Sequence, residues 1–393
     1  MSKKKLTDHL VFRLVIAVFT GVLLGVFVNK DLMQIISTIK YVLGQLIFYS
    51  VPLVIIGFIA PSITRLKEKA SKLLGQAVSI AYLSSVGAAI FSILAGKIII
   101  PYLQIAEETT ALKELPEIMF QLDIPSIMPV MSALVLALFV GLSAAWTKAE
   151  IVPEILEEIQ NMILSLVEKI IIPILPFFIA TTFAELAYEG TITEHLPVFL
   201  TVIILVLIGH YIWLTVLYSI AGMISGENPI EVVKHYLPAY LTAIGTMSSA
   251  ATLPVSLKSA NKSKVLEKEI TNFAIPLGAT IHLCGSVLTE TFFVMVISKV
   301  LYGSVPPLPT MFLFALLLGI FAIGAPGVPG GTVMASLGLV TGILGFDQTG
   351  VGLVLTIFAI QDSFGTACNI TGDGAIALML TGLNKKKAAK KAA

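Results

Sequence analysis

Near the C-terminal end of this 393-residue chain, the segment IQDSFGTACNITGDGAIALML carries Asp362, Thr366, Asn369 and Asp373. At about 100° per residue, offsets of four, seven and eleven put each of the last three within roughly 40° of Asp362 on a helix. Two carboxylates, an amide and a hydroxyl then look the same way, which makes the stripe a candidate working site. A second constellation lies upstream in IPLGATIHLCGSVLTETFF, where His282, Ser286 and Glu290 are spaced at four and eight. They drift only about 80° around a helix. A lone histidine on an apolar face is more often structural than a proton carrier. A glutamate among apolar neighbours is costly as an anion, which makes Glu290 a candidate proton carrier.

What must position these groups is a membrane protein. The chain is 56% hydrophobic and 12% charged, against about a quarter charged in soluble domains, and its mean hydropathy is +0.95. Apolar runs recur at Leu10 to Val28, Tyr41 to Ile63, Leu73 to Tyr102, Ile127 to Trp146, Ile163 to Phe183 and Val198 to Ile224. Others follow at Ile270 to Leu301, Leu308 to Gly345 and Val351 to Leu383. Most are long enough to cross about 30 Å of hydrocarbon. An ionisable group at that depth costs about 2.5–3.5 kcal/mol on the mildest scale, so a polar stripe there is expected to face a cavity, an ion or a substrate. MSKKK leads into a run too long for a signal-peptide core, so the first run reads as a retained transmembrane helix. Cys284 and Cys368 both fall in apolar runs and imply no disulfide framework.

Charge sets the expected topology. Basic residues crowd the N-terminus (Lys3, Lys4, Lys5, Arg13), the second loop (Arg65, Lys67, Lys69, Lys72), Lys258 to Lys268, and the tail Lys385 to Lys391. All four are cytoplasmic if both termini are. Alternate loops are acidic: Glu107, Glu108, Glu114, Glu117 and Asp123, then Glu185, Glu189 and Glu194. The segment Lys148 to Glu158 runs against this pattern, being mostly acidic where a cytoplasmic loop is expected. Acidic residues carry little weight in the rule, and the topology is kept.

Two stretches do not read as simple spanning helices. Pro229 to Ala260 is apolar towards its ends with GTMSSAATLP between them, and both of its polar ends favour one side of the membrane. It reads as a re-entrant hairpin with Ser248, Ser249 and Thr252 at its tip. Leu308 to Gly345 is interrupted by GAPGVPGG, in which prolines remove donors and glycines admit unusual torsions, so it reads as a second hairpin, opening to the opposite side. Backbone freed at such tips has to be buried in protein or line a wet cavity. Interrupted segments in corresponding halves point to the midplane site of a secondary transporter; close packing at small residues is the blander explanation of the glycines.

In order along the chain, SSAATLP, IPLGATIHLCGS, GAPGVPGG and NITGD resemble the first hairpin tip, the NMDGT-bearing seventh helix, the second hairpin tip and the eighth helix of the dicarboxylate/amino acid:cation symporters, which include the glutamate transporters. The resemblance covers essentially the whole chain. It implies an all-α polytopic membrane protein with eight transmembrane helices, two re-entrant hairpins and inverted repeats. It also implies a homotrimeric elevator in the cell membrane, with a scaffold formed by 1–69 and 123–191 and a transport domain formed by 70–122 and 192–393. Carried over by position, Asp362 takes a substrate's α-amino group and Asn369 its α-carboxylate. The backbone at Ser248, Ser249, Gly327 and Val328 lines the pocket, and Thr366 faces it. Asp373 ligates a coupling Na+ with the carbonyls of Gly278, His282 and Asn369. A second cation site is built of carbonyls at Thr280, Ala322, Ile323 and Ala325.

The departures carry as much information. Where relatives that take acidic substrates place an arginine, this chain has Gly365 in the eighth helix and Met247 at the first tip. A side-chain carboxylate buried there without a cation would cost several kcal/mol. The substrate is therefore expected to be a neutral amino acid, with Gly365 leaving room for its side chain, and a dicarboxylate lacks an amine for Asp362. NMDGT is replaced by His282, Leu283, Cys284, Gly285 and Ser286. The lost aspartate removes a third sodium site that would involve hydroxyls around Ser84 and Ser85, since a thiol is a soft ligand ill matched to Na+. Glu290 stands where proton-coupled relatives carry a titrating glutamate. Proton coupling is favoured, with a Na+-coupled amino acid or dicarboxylate symporter as the alternative. No cofactor and no nucleic-acid partner are expected. An intramembrane aspartyl protease fits poorly, because Asp362 and Asp373 lie about 16 Å apart on one helix, too far to share a proton.

Overall fold

The computed structural model describes residues 10–68, 72–103, 105, 113–147, 149–190 and 192–392. Lys3, Lys4, Lys5, Lys69, Glu107 and Glu108 of the charge pattern lie outside them. The regular structure among the described residues is helical, with no strand. In chain order the helices are α1 (Leu10–Phe27), α2 (Lys30–Glu68), α3 (Lys72–Ile99), α4 (Val130–Thr147), α5 (Ile151–Leu166), α6 (Ile172–Tyr188) and α7 (Ile192–Ser225). They continue as α8 (Ile230–Val233), α9 (Leu237–Thr246), α10 (Ser249–Ala260), α11 (Lys268–Ile281), α12 (Cys284–Tyr302), α13 (Leu308–Gly324), α14 (Gly331–Gly342) and α15 (Gln348–Ala392). Among the described residues, six helical stretches are long and apolar enough to cross a membrane, and shorter apolar helices lie at Phe12–Phe27, Ser132–Thr147, Leu308–Gly324 and Gly331–Gly342.

Local chemistry explains the irregular points. Between α5 and α6 the helix widens into a π turn at Val167–Ile171. Pro173 follows at once, and its ring would collide with the carbonyl of Lys169 in a regular α-helix. The extra residue in the turn relieves that collision. Helix α5 starts at Ile151 rather than at Ile163, where the apolar run begins. Its exposed Glu154, Glu157 and Glu158 let the helix extend past the apolar stretch, so the acidic segment expected as a loop is largely helix. Helix α2 likewise starts at Lys30 rather than Tyr41.

Helix α1 lies along α6, and α2 packs against α4, α5 and α6. The approach of α1 requires glycine: a Cβ on Gly21 or Gly25 would run into the backbone carbonyls of Ala180 and Ala184. A second group centres on α15, which packs against α12, α7, α9 and α11, while α12 also packs on α3. In the apolar window of Lys268–Tyr302, 94% of residues are buried, and in that of Gln348–Lys386, 83%, against 28% in Ile151–Tyr188. Helices covered on every side form the centre of the molecule.

One expectation about charge fails. Glu185 belongs not to an acidic loop but to the buried end of α6, where it pairs with Lys40 of α2. The Lys40 ammonium also donates to Thr349 Oγ1 of α15 at 2.9 Å, so the pair joins three helices. Hydropathy could not show this, because a Lys and a Glu 145 positions apart look like two loop residues until they meet. Removing one partner of a buried pair costs about 3–5 kcal/mol, whereas replacing both by apolar groups is often neutral. Glu185→Leu should therefore lower the melting temperature of the purified protein markedly. The double variant Lys40→Met/Glu185→Leu should recover most of the loss, measured by thermal unfolding in detergent.

Candidate functional site

The two hairpins form where expected, and their tips meet. In the first, α9 ends at Thr246 and the chain reverses through Met247, whose φ of 51° is the only positive φ at a non-glycine residue among those described. A left-handed methionine is strained and persists only where its surroundings hold it. Ser248 then caps α10: its Oγ accepts from the Ala251 N–H at 3.2 Å and donates to the Gly327 carbonyl at 2.7 Å. Buried Ser249 opens the helix behind it, and Thr252 Oγ1 donates to the Ser248 carbonyl at 2.8 Å. In the second hairpin, α13 ends into extended Ala325, and Pro326 to Gly330 form the tip. Gly330 is left-handed at φ 72° and precedes α14.

Asp362 joins the tips to α15. Its Oδ2 accepts from the Gly330 N–H at 2.7 Å, and Thr366 donates to its Oδ1 at a long 3.4 Å. A carboxylate at the start of α14 meets free backbone donors and the positive end of the helix dipole. Gly327 lies against Ala250 of the first tip and the carbonyl of Ala279. Asp362, Thr366, Ser248, Ser249, Gly327, Val328 and Met247 are thus gathered around one small region, as the sequence spacing alone could not guarantee.

The break between α11 and α12 is short, only His282 and Leu283. It ends the notion of one stripe through His282, Ser286 and Glu290, because the histidine sits outside the helix that carries the other two. Asn369 of α15 fills the gap in bonding: its Oδ1 accepts from the Gly285 and Ser286 N–H groups at 2.7 and 3.2 Å, and its Nδ2 donates to Ser286 Oγ at 2.9 Å. It serves as an N-cap supplied by another helix. Gly365 faces the same turn, and a Cβ there would touch Ser286 Oγ at 3.3 Å. The space beside Gly365 is thus filled on that side by α12.

Deeper along α15, Asp373 is fully buried and its Oδ1 accepts from His282 Nδ1 at 2.9 Å. The other ring nitrogen is hydrogen-bonded to Ser84 Oγ of α3 at 2.9 Å. Of the carbonyls expected around Asp373, that of Gly278 is taken by the His282 N–H at 2.9 Å. Of the residues expected to offer carbonyls to a second cation, Ala322 and Ile323 lie in the last turn of α13, where carbonyls lack intrahelical partners. Thr280 is exposed and its hydroxyl turns back to the Leu277 carbonyl. Glu290, fully buried, accepts from the Ser336 hydroxyl of α14, and its Oε2 has no partner among the described residues.

Several of these contacts are not readable in the sequence. Gly330 and Ser336 carried no signal beyond their hairpin. His210 of α7, whose Nε2 lies 3.1 Å from the Gly285 carbonyl and 2.8 Å from Thr289 Oγ1, could have been flagged as an ionisable residue within an apolar run.

A family model described as the sodium:dicarboxylate symporter family matches residues 10–383. The putative sodium-dependent excitatory amino acid transporter glt-4 of Caenorhabditis elegans is 31% identical over 202 residues, 50% of this chain and 39% of that protein. A second such protein from the same organism, glt-6, is 32% identical over 164 residues, 42% of this chain and 30% of that protein. Excitatory amino acid transporter 1 of Homo sapiens is 29% identical over 203 residues, 50% of this chain and 36% of that protein. The matched stretch thus spans between 30% and 39% of these relatives' lengths.

Asn369 offers a direct check on the geometry. Asn369→Ala leaves two buried N–H groups of α12 without an acceptor, at a cost of about 1–3 kcal/mol each. A melting temperature lowered in Asn369→Ala, and restored in part by Asn369→Asp, is the expected result in a thermal unfolding assay.

Proposed function

Because the chain belongs to the sodium:dicarboxylate symporter family, we propose that it is a secondary active transporter that carries a neutral amino acid across the cell membrane, coupled to a cation. The observation that carries the substrate reading is Asp362. It is buried where both hairpin tips converge, it holds the Gly330 N–H, and no cationic side chain pairs with it among the described residues. An ammonium group satisfies such a carboxylate with a charge-assisted bond about twice as strong as a neutral one. A substrate amine arriving at Asp362 would share the carboxylate with the start of α14, which ties occupancy to the position of the second tip. Thr366, the backbone of Ser248, Ser249, Gly327 and Val328, and Asn369 complete the proposed pocket. Met247 and Gly365 provide no positive charge for a second carboxylate, which disfavours acidic amino acids and dicarboxylates alike.

The helix packing supports a division into a scaffold, 1–69 and 123–191, and a transport domain, 70–122 and 192–393. The first group is α1, α2, α4, α5 and α6; the second centres on α12 and α15. In this reading the second group slides against the first as an elevator, both termini face the cytoplasm, and three copies assemble. Glu290 is the proposed proton carrier. It bridges α12 to Ser336 on the second hairpin and faces no cation among the described residues, so its charge state bears directly on how that hairpin packs. Sodium remains the alternative coupling ion, with Asp373 and the end of α13 as its places.

Uptake into proteoliposomes tests the reading. Labelled serine or alanine should accumulate under an imposed proton gradient without sodium, and unlabelled aspartate should compete far less well than unlabelled serine. Equal competition by aspartate overturns the neutral-substrate reading, and strict sodium dependence overturns proton coupling. Asp362→Asn should abolish substrate binding. Glu290→Gln should keep substrate exchange while removing the response to the proton gradient, read as equal uptake with and without it.

A further inference from the structure

The side chain of His282 lies directly against the carboxylate of Asp373. Three contacts lock it there. Its Nδ1 lies 2.9 Å from Asp373 Oδ1, its Nε2 lies 2.9 Å from Ser84 Oγ, and the ring is packed so closely on Gly372 that a Cβ there would come within 2.8 Å of His282 Cε1. Asp373 is enclosed from the other side by α11, since a Cβ on Gly278 would stand 2.6 Å from the same Oδ1. His282 and Asp373 are fully buried, and Ser84 is 6% exposed. With Nδ1 donating to the carboxylate, a neutral imidazole still accepts from the Ser84 hydroxyl, so both ring nitrogens are satisfied without any external ligand.

Hard cations gather about six oxygen ligands. At Asp373 one carboxylate oxygen is bonded to the imidazole, and the Gly278 carbonyl already accepts one hydrogen bond from the His282 N–H. The other oxygen, Oδ2, is buried and has no hydrogen-bond partner among the described residues. With Oδ1 held by the imidazole, Asp373 offers a cation a single free carboxylate oxygen. We propose that the His282 imidazole stands in place of a coupling cation at Asp373 and excludes sodium from it, which makes His282 the residue that decides which ion this site accepts. The inference rests on the reading of Asp373 as part of the coupling site, and it concerns space and ligands alone.

The test is equilibrium binding of radioactive sodium to the full-length protein in detergent, in the absence of substrate. Wild type should show no saturable binding that depends on Asp373. His282→Asn, which removes the ring and leaves an amide oxygen, should bind sodium about tenfold more tightly or better than wild type, and His282→Asn/Asp373→Asn should lose that binding again. If His282→Asn does not purify as a folded species, judged by a thermal melt, His282→Ser opens the same space and is read in the same way. Saturable sodium binding by wild type that vanishes in Asp373→Asn overturns the proposal, as does a folded His282 variant that gains none. Because ion binding is read without transport, a failure to take up neutral amino acids would overturn the proposed function and leave this inference standing. A wild type that takes up neutral amino acids and binds sodium at Asp373 would do the reverse.

Discussion

A carboxylate buried among apolar helices has to be answered by a donor or a cation, and the centre of this protein is arranged around four such answers. Asp362 is met by the backbone of a hairpin tip, Asp373 by an imidazole, Glu290 by a serine hydroxyl and Glu185 by a lysine. In each case the partner comes from a different helix. The polar contacts therefore do for tertiary structure what apolar contacts between helices in lipid do poorly, since hydrocarbon does not discriminate one apolar face from another. Each contact also fixes a register, because an unanswered charge at that depth costs several kcal/mol.

Broken helices supply the donors. A continuous helix satisfies its own backbone, so it has nothing to offer a ligand or a neighbouring carboxylate. Interrupting it frees N–H groups at the new N-terminus. The tip before α14 hands such a group to Asp362, and the break before α12 hands two to Asn369. The same residues that expose backbone, Gly330 with its left-handed torsion and the non-helical pair His282 and Leu283, thereby place α15 against both interrupted elements. Substrate binding, as proposed, enters this network at Asp362, where an amine and a backbone N–H draw on one carboxylate.

Much of the architecture was legible in the residues. The apolar runs, the two hairpins and the polar face of the last helix follow from hydropathy, from Pro and Gly clusters and from the helical period, all local properties of the chain. Helix starts were less legible, as at Lys30 and Ile151, because a helix can run beyond the membrane on charged residues that hydropathy discounts. The position of Glu185 was misread for a related reason: its charge pointed to water, and only the presence of Lys40 beside it makes burial tolerable.

For the site, the sequence by itself determined which groups face one way on α15 and that no arginine stands at Met247 or Gly365. Helical period suffices for the first, and the second is plain from the residues once the resemblance says which positions to read. The partner of each group was decided only by tertiary structure: Gly330 for Asp362, the α12 N-terminus for Asn369, and the side chain of His282 for Asp373. Hydrogen bonds are short-ranged and directional, and the residues that make them here lie 32, 84 and 91 positions apart. No spacing rule reaches across such distances; the crossing of helices does.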